Sequence, residues 1–299
     1  MKKIEVKENE GRLDTYLLTT LDMSRSKIQK MIEKENILVN GKSVKNSYSL
    51  KVGDVITVEE WVEEPIHVVA ENLPIHIVYE DDDVLVVDKE NGMVVHPGAG
   101  NTSGTLVNAL LYHSQLSDLG GEFRPGIVHR IDAYTTGLLM VAKNNKAHEF
   151  LSKQLEEKTA HRKYIALVCG VLQADTGTID APIGRDEKDR KKMAITSHNS
   201  KKAITHFKVL ERYKDATLIE VVLETGRTHQ IRVHMNYIGH PVVNDPVYGR
   251  RKKIDETGQC LHAAELGFVH PTTLQYMEFK SPLPSSFVHI LDMYKKMGK

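Results

Sequence analysis

The chain is 299 residues long, 40% hydrophobic and 27% charged, with 40 basic against 40 acidic side chains, which fits an ordinary globular protein of one large domain or a large and a small one. It has no apolar run of about 18 residues, which excludes a transmembrane helix, and Met1-Lys2-Lys3-Ile4-Glu5 turns acidic without an apolar core, so no secretion leader is expected. Its two cysteines, Cys169 and Cys260, lack a C-x-x-C partner, which argues against a Cys-based zinc site and makes a reducing cytoplasm the expected compartment.

The neutral total hides local patches. Between Ser24 and Lys51, seven Lys or Arg face two acids, Glu33 and Glu35. Further clusters occur at Arg190-Lys191-Lys192 and Arg250-Arg251-Lys252-Lys253, while Glu59 to Glu64 and Glu80 to Asp83 restore neutrality. Local patches, not the total, attract phosphate, although a solvated face explains any single cluster equally well.

Residues 1–62 read as a compact module. Arg12-Leu13-Asp14 opens a helical pattern with Leu13, Tyr16, Leu17 and Leu21 on one face. Ser24 caps a second predicted helix, Arg25 to Glu33, with Ile28, Met31 and Ile32 inward and Arg25, Lys27, Lys30 and Lys34 free for solvent or phosphate. Ile37-Leu38-Val39, the turn signal Asn40-Gly41 followed by Lys42, and Asp54 to Val58 then predict a strand pair. Two helices followed by a small hairpin, basic on one side, resemble the S4 RNA-binding domain through Arg12-Leu13-Asp14, Ser24-Arg25-Ser26 with Gln29, and Val39-Asn40-Gly41-Lys42. A small protein-interaction module is the competing reading of the same elements.

Residues 63–74, with Pro65 and Pro74, read as an extended linker, and residues 75–299 as a second domain. Strand-like runs dominate it: Ile75 to Tyr79, Val84 to Val87, Met93 to His96, Gly137 to Ala142, Tyr164 to Val168, Ala203 to Leu210 and Leu218 to Leu223. Helical patterns are fewer, near Thr105 to His113, Lys146 to Glu157 and Thr228 to Ile238. This order predicts an α+β domain around a mostly antiparallel mixed sheet with flanking helices.

The most informative segment is Gly126 to Lys143, GIVHRIDAYTTGLLMVAK. It predicts a strand with His129, Arg130 and Asp132 at its end, a polar turn, and a second apolar strand. A carboxylate so placed is rigidly held yet accessible. By itself the pattern favours a turn cap that bonds backbone N–H groups over a catalytic group.

The segment resembles the signature of the RluA-type pseudouridine synthases, H-R-L-D-x-x-T-S-G-L-L, here His129-Arg130-Ile131-Asp132-Ala133-Tyr134-Thr135-Thr136-Gly137-Leu138-Leu139. Two more stretches follow in the family's order. Arg162-Lys163-Tyr164-Ile165-Ala166-Leu167-Val168 resembles K-x-Y-x-A-x-V, and Thr225-Gly226-Arg227-Thr228-His229-Gln230-Ile231-Arg232-Val233-His234 resembles T-G-R-x-H-Q-I-R-x-H. His96-Pro97-Gly98, Asp245-Pro246-Val247-Tyr248-Gly249 and Leu261-His262-Ala263 accompany them. The main departure is Asp88-Lys89-Glu90-Asn91-Gly92, where the family often has N-K-P-x-G; it removes a proline turn and adds two acids.

The resemblance implies a reaction that breaks the C1′–N1 bond of uridine, turns the uracil and rejoins it through C5. It implies Asp132 as the catalytic carboxylate, leaving open whether it attacks the sugar, attacks the base or removes a proton. It implies Arg232 as the countercharge that keeps Asp132 ionised, and Tyr164 as the ring that packs on the target base. Arg130 is implied to fill the space vacated by a flipped base, with His129 beside it as a further RNA contact. A helix starting near Thr228 would place His229, Arg232 and Asn236 on one polar face. An S4-like module joined to such a domain is similar to the large-subunit ribosomal RNA branch, so the expected partner is structured RNA of that kind and the expected state a monomer. His229 and His234, five apart, do not converge on one ion, and neither metal nor cofactor is expected.

Two rival readings remain at this level. A glycoside or nucleotide hydrolase would need a second carboxylate in an equally strong motif. An assembly factor that binds RNA without catalysis would have lost Asp132, Tyr164 or Arg232, and a transfer-RNA substrate is the alternative within the enzyme reading.

Overall fold

The computed structural model describes residues 2–298 except 9–10, 22, 24, 60–67, 99, 122, 190–191 and 250–252, with the side chains of 25–27 also set aside. The chain divides into two compact units, Met1–Pro65 and Ile66–Lys299.

The first unit contains β1 (Lys2–Glu5), α1 (Leu13–Thr20), α2 (Arg25–Glu33), β2 (Ile37–Val39) and β3 (Val55–Val58). Its antiparallel sheet runs β1-β3-β2, and Leu13, Leu17, Ile28, Met31, Ile32, Ile37 and Ile56 form its core. Asp14 is fully buried and accepts hydrogen bonds from Arg12 Nε and Nη2 at 2.9 and 3.0 Å. That bidentate fork fastens the start of α1. Asn40 and Gly41 both take positive φ (52° and 71°), closed by reciprocal bonds between Val39 and Lys42, as a tight turn requires. The ladder partner of β2 is nevertheless β3, more than a dozen residues further on. The sequence pattern missed β1.

The second unit is built on β4 (His76–Glu80), β5 (Val84–Lys89), α3 (Leu106–His113), β6 (Thr136–Ala142), α4 (Asn145–Glu156), β7 (His161–Cys169) and β8 (Thr176–Asp180). It continues with β9 (Ile183–Arg185), β10 (Met193–Ile195), β11 (Ile204–Arg212), β12 (Ala216–Leu223), α5 (Gln230–Tyr237), β13 (Leu261–Val269), β14 (Tyr276–Lys280) and α6 (Ser285–Lys296). Among the described residues, nine strands form one sheet in the order β4-β5-β6-β13-β7-β12-β11-β8, with β14 on β13, and β9 and β10 make a separate ribbon. Every pairing is antiparallel except the short parallel contact of β6 with β13. The architecture is α+β, as expected.

The unbroken apolar runs of β5 and β6 have a simple cause: both faces of these strands are covered. Val84, Val86, Leu138 and Met140 pack with Ala147 and Leu151 of α4, whereas Leu85, Val87, Leu139 and Val141 join the main core with Leu106 and Leu110 of α3. The main core also takes Ile231 and Met235 of α5 and Phe287, Ile290 and Leu291 of α6. Thr105 closes a capping box with Asn108 at the start of α3, and Asn144 caps α4 through Ala147 N–H at 2.9 Å.

Three expectations need correction. Met93 to His96 form no strand; Val94 and Val95 instead accept the N–H groups that begin α3. His129 to Asp132 do not end a regular strand. Ile127 makes an isolated bridge to Val141, and two residues later the His129 side chain takes over: Met140 N–H donates to its Nε2 at 3.1 Å. A side chain thus occupies the place of a backbone carbonyl, and the ladder stops there. Finally, α5 begins at Gln230, not Thr228, because His229 sits in the left-handed region at φ 57°.

Of the expected linker, 63–67 lie outside the described residues; 68–74 have no regular structure, and Glu71 N–H bonds to Asn108 O at 2.9 Å.

Candidate active site

One cleft of about 610 Å³ in the second unit gathers the residues singled out by the sequence: His129, Arg130, Asp132, Tyr164 and Arg232 all line it. They arrive from separate elements, the loop before β6, strand β7 and helix α5.

Asp132 lies in the turn that leads into β6, where Thr135 N–H bonds to its carbonyl at 3.0 Å. Its Oδ2 accepts from Arg232 Nη1 at 2.9 Å, and its Oδ1 is 3.9 Å from His229 Nε2. One carboxylate oxygen is therefore anchored, and the other makes no hydrogen bond among the described residues.

Arg232 lies on no polar helix face; it is 3% exposed and held by two carboxylates. Its Nε and Nη2 bind both oxygens of Asp245 at 2.7 and 2.9 Å, and its guanidinium carbon stands 5.2 Å from the centroid of the Tyr248 ring. Burial works against its charge, but the hydrogen bond to Asp245 and the charges of Asp132 and Asp245 keep it firmly protonated. Burial likewise opposes ionisation of Asp245. Arg232 and the backbone N–H groups of Tyr248 and Val247 overcome that and hold its carboxyl below the usual range. The sequence pattern had quoted Asp245 and Tyr248 as a motif without giving them this work.

The left-handed turn at His229 brings its Nδ1 within 2.9 Å of the Tyr248 hydroxyl, which also bonds the backbone of Met193. Tyr164, on the buried face of β7, is 6% exposed, and burial pushes its hydroxyl pKa up. Arg130 is exposed, with Nη1 3.2 Å from His96 Nε2. His96 Nδ1 bonds the Pro97 carbonyl at 3.0 Å, so Nε2 is left as the acceptor that positions Arg130.

Lys89 was not singled out. It is 1% exposed, and its ammonium donates to the carbonyls of Glu90, Met93 and Ala133 at 2.8, 2.9 and 2.8 Å. Burial draws its pKa down to about 7, opposed by the charge of Asp132. The loop that departs from the family's proline turn is thereby tied to the residue after Asp132. The two added acids differ in setting: Asp88 accepts from Ser281 Oγ at 2.5 Å, and Glu90 is exposed.

Among the basic residues of the first unit, Lys30 and Lys42 are exposed. The cap Ser24, the side chains of Arg25 and Lys27, and the clusters at 190–191 and 250–252 lie outside the described residues. No group of three or more potential metal-binding side chains converges among the described residues, and no helix among them is long and apolar enough to cross a membrane.

Comparisons with known proteins agree on one family. Residues 83–237 match the RNA pseudouridylate synthase family model, and residues 11–56 the S4 domain. An uncharacterized RNA pseudouridine synthase of Bacillus subtilis is 52% identical over 304 residues, covering 100% of both chains. Ribosomal large subunit pseudouridine synthase D of Zymomonas mobilis is 43% identical, over 94% of this chain and 93% of its own. Among solved structures, human RNA pseudouridylate synthase domain containing 1 matches with a TM-score of 0.57 and 28% identity, over 74% of this chain and 95% of that one.

Proposed function

Because the chain belongs to the RNA pseudouridylate synthase family, we propose that its cleft isomerises specific uridines of large-subunit, 23S-type ribosomal RNA, with Asp132 as the catalytic carboxylate. The observation that carries the assignment is the Asp132–Arg232 pair in the cleft, in which a buried guanidinium holds Oδ2 at 2.9 Å and leaves Oδ1 without a hydrogen bond among the described residues. A guanidinium at that distance holds the carboxylate in place and faces it with a full positive charge. Here that charge is itself fixed by Asp245.

The reaction is an isomerisation. The C1′–N1 bond breaks, the uracil turns, and a C1′–C5 bond forms; C5 loses its proton and N1 ends up carrying one. Asp132 supplies a negative charge at the electron-poor centre of that exchange. Tyr164 offers a ring for the turning uracil to pack against. The target must leave its stack to enter the cleft, at a cost of a few kcal/mol, and Arg130 at the rim fills the space it leaves. The S4 domain adds a second RNA contact, with Arg25, Lys27, Lys30 and Lys42 as its phosphate-binding residues.

Support for the ribosomal substrate is the name of the Zymomonas mobilis relative and the S4 domain. The test is to map pseudouridines in ribosomal and transfer RNA from cells with and without the protein, and from cells carrying Asp132→Asn. Positions lost from large-subunit RNA in both the deletion and the variant, with RNA binding retained by the variant, are the expected result. Full modification by Asp132→Asn would overturn the catalytic assignment, and loss confined to transfer RNA would overturn the substrate.

A further inference from the structure

The two neighbouring cations of β7 meet different fates. Strand alternation sends Lys163 to one face, where Glu265 and Glu220 take it at 2.9 and 3.2 Å. It sends Arg162 to the other, onto the cleft wall beside Tyr164. Arg162 is 8% exposed, yet its guanidinium has no hydrogen-bond or carboxylate partner among the described residues, and its buried Nε is unpaired. It lies against the backbone of Gly226, where an added Cβ would stand 2.9 Å from Nη1. Gly226 has no left-handed φ, and its bare backbone lets the tip of the Arg162 side chain approach closely.

A second orphan shares the cleft. His129 Nδ1 is buried without a partner. Burial, with the charge of Arg162 added, lowers the His129 pKa to about 3, so the ring is neutral. Since Nε2 accepts the Met140 N–H, the ring proton sits on Nδ1. The cleft therefore keeps two buried donors and a full positive charge in want of an acceptor. Leaving such a charge unpaired is costly to the fold, and natural proteins keep one where a ligand completes it. The carboxylates nearby are engaged or distant from this role: Asp132 by Arg232, Glu224 by Lys158 and His206 at 2.7 and 2.8 Å, and Glu156 is exposed.

We propose that Arg162, with His129 Nδ1 of the same cleft, is the subsite for a backbone phosphodiester of the RNA strand that enters the cleft, a reading that rests on the RNA pseudouridine synthase function above. The guanidinium fork matches phosphate oxygens, and the two donors offer nothing to a group that must itself donate.

The test uses the full-length protein, large-subunit ribosomal RNA transcripts, and the variants Arg162→Met and Arg162→Lys. Affinity is measured against potassium chloride concentration, alongside thermal unfolding and pseudouridine formation. Arg162→Met is expected to bind about ten-fold more weakly. Its log K against log salt slope should fall by about one phosphate contact, and Arg162→Lys should restore the slope. Arg162→Met should unfold at the same or a higher temperature, because it removes an unpaired buried charge. An unchanged slope would overturn the subsite, and so would a lowered unfolding temperature, which would mark the guanidinium as a structural group. A wild-type protein that forms no pseudouridine would instead overturn the functional reading, whatever the slopes.

Discussion

Arg232 gives Asp132 a single nitrogen, Nη1 at 2.9 Å, and commits Nε and Nη2 to Asp245 at 2.7 and 2.9 Å. The guanidinium plane is therefore set by Asp245, and the position of the charge facing Asp132 does not depend on Asp132 itself. This asymmetry separates the effects of neighbouring substitutions.

Asp245→Asn should be more damaging to the fold than Asp132→Asn. It leaves a buried guanidinium without its bidentate partner, at a cost of about 3 kcal/mol, readable as a lowered urea midpoint. Because Arg232 would also lose its orientation, isomerisation should slow by roughly a hundred-fold.

Arg232→Lys keeps the charge but not the fork. A lysine ammonium is a compact charge that cannot hold both oxygens of Asp245 and also reach Asp132 in a fixed plane. The expected result is a kcat at least about a hundred-fold lower with a KM within about three-fold of wild type, since the guanidinium acts on the carboxylate rather than on bound RNA.

His129 predicts a pH dependence of stability. Its folded pKa is depressed from 6.5 to about 3 by burial and by Arg162. Below pH 6.5 the unfolded chain takes up a proton that the folded one refuses, so stability is lost as pH falls from 6.5 toward 3 and is fully present above 6.5. From pH 7 down to pH 4, urea midpoints should fall less steeply in His129→Gln than in wild type, the difference approaching about one proton. Parallel curves would show that the ring is not buried uncharged.

Gly137→Ala tests the crossing of β6 and β13. Gly137 has φ 105°, and an added Cβ would lie 2.3 Å from the Ala263 carbonyl oxygen. Backbone cannot yield there as a side chain tip can, so a loss of about 3 kcal/mol or more is expected in chemical unfolding.

The gathering of Asp132, Tyr164 and Arg232 was legible because each stands in a short ordered motif, and all three line the same cavity. The apolar runs of β5 and β6 were equally plain. What escaped depends on register. Strand β13, with its Ala263-Ala264 pair and Gly267, has weak strand preference and owes its place to three flanking partners. The strand expected at His129 fails because a side chain intercepts the Met140 N–H, which no alternation pattern contains. Arg162 and Lys163 look alike on paper. Only the pairing of β7 with β12 and β13 reveals that the acids, Glu220 and Glu265, are all on one side.

Lys89 commits all three of its ammonium protons to carbonyls, two in the loop after β5 and one at Ala133, next to Asp132. Any shift between the two loops must therefore break a hydrogen bond of a buried amine, so the turn that carries Asp132 is fastened by a residue that does not itself line the cleft.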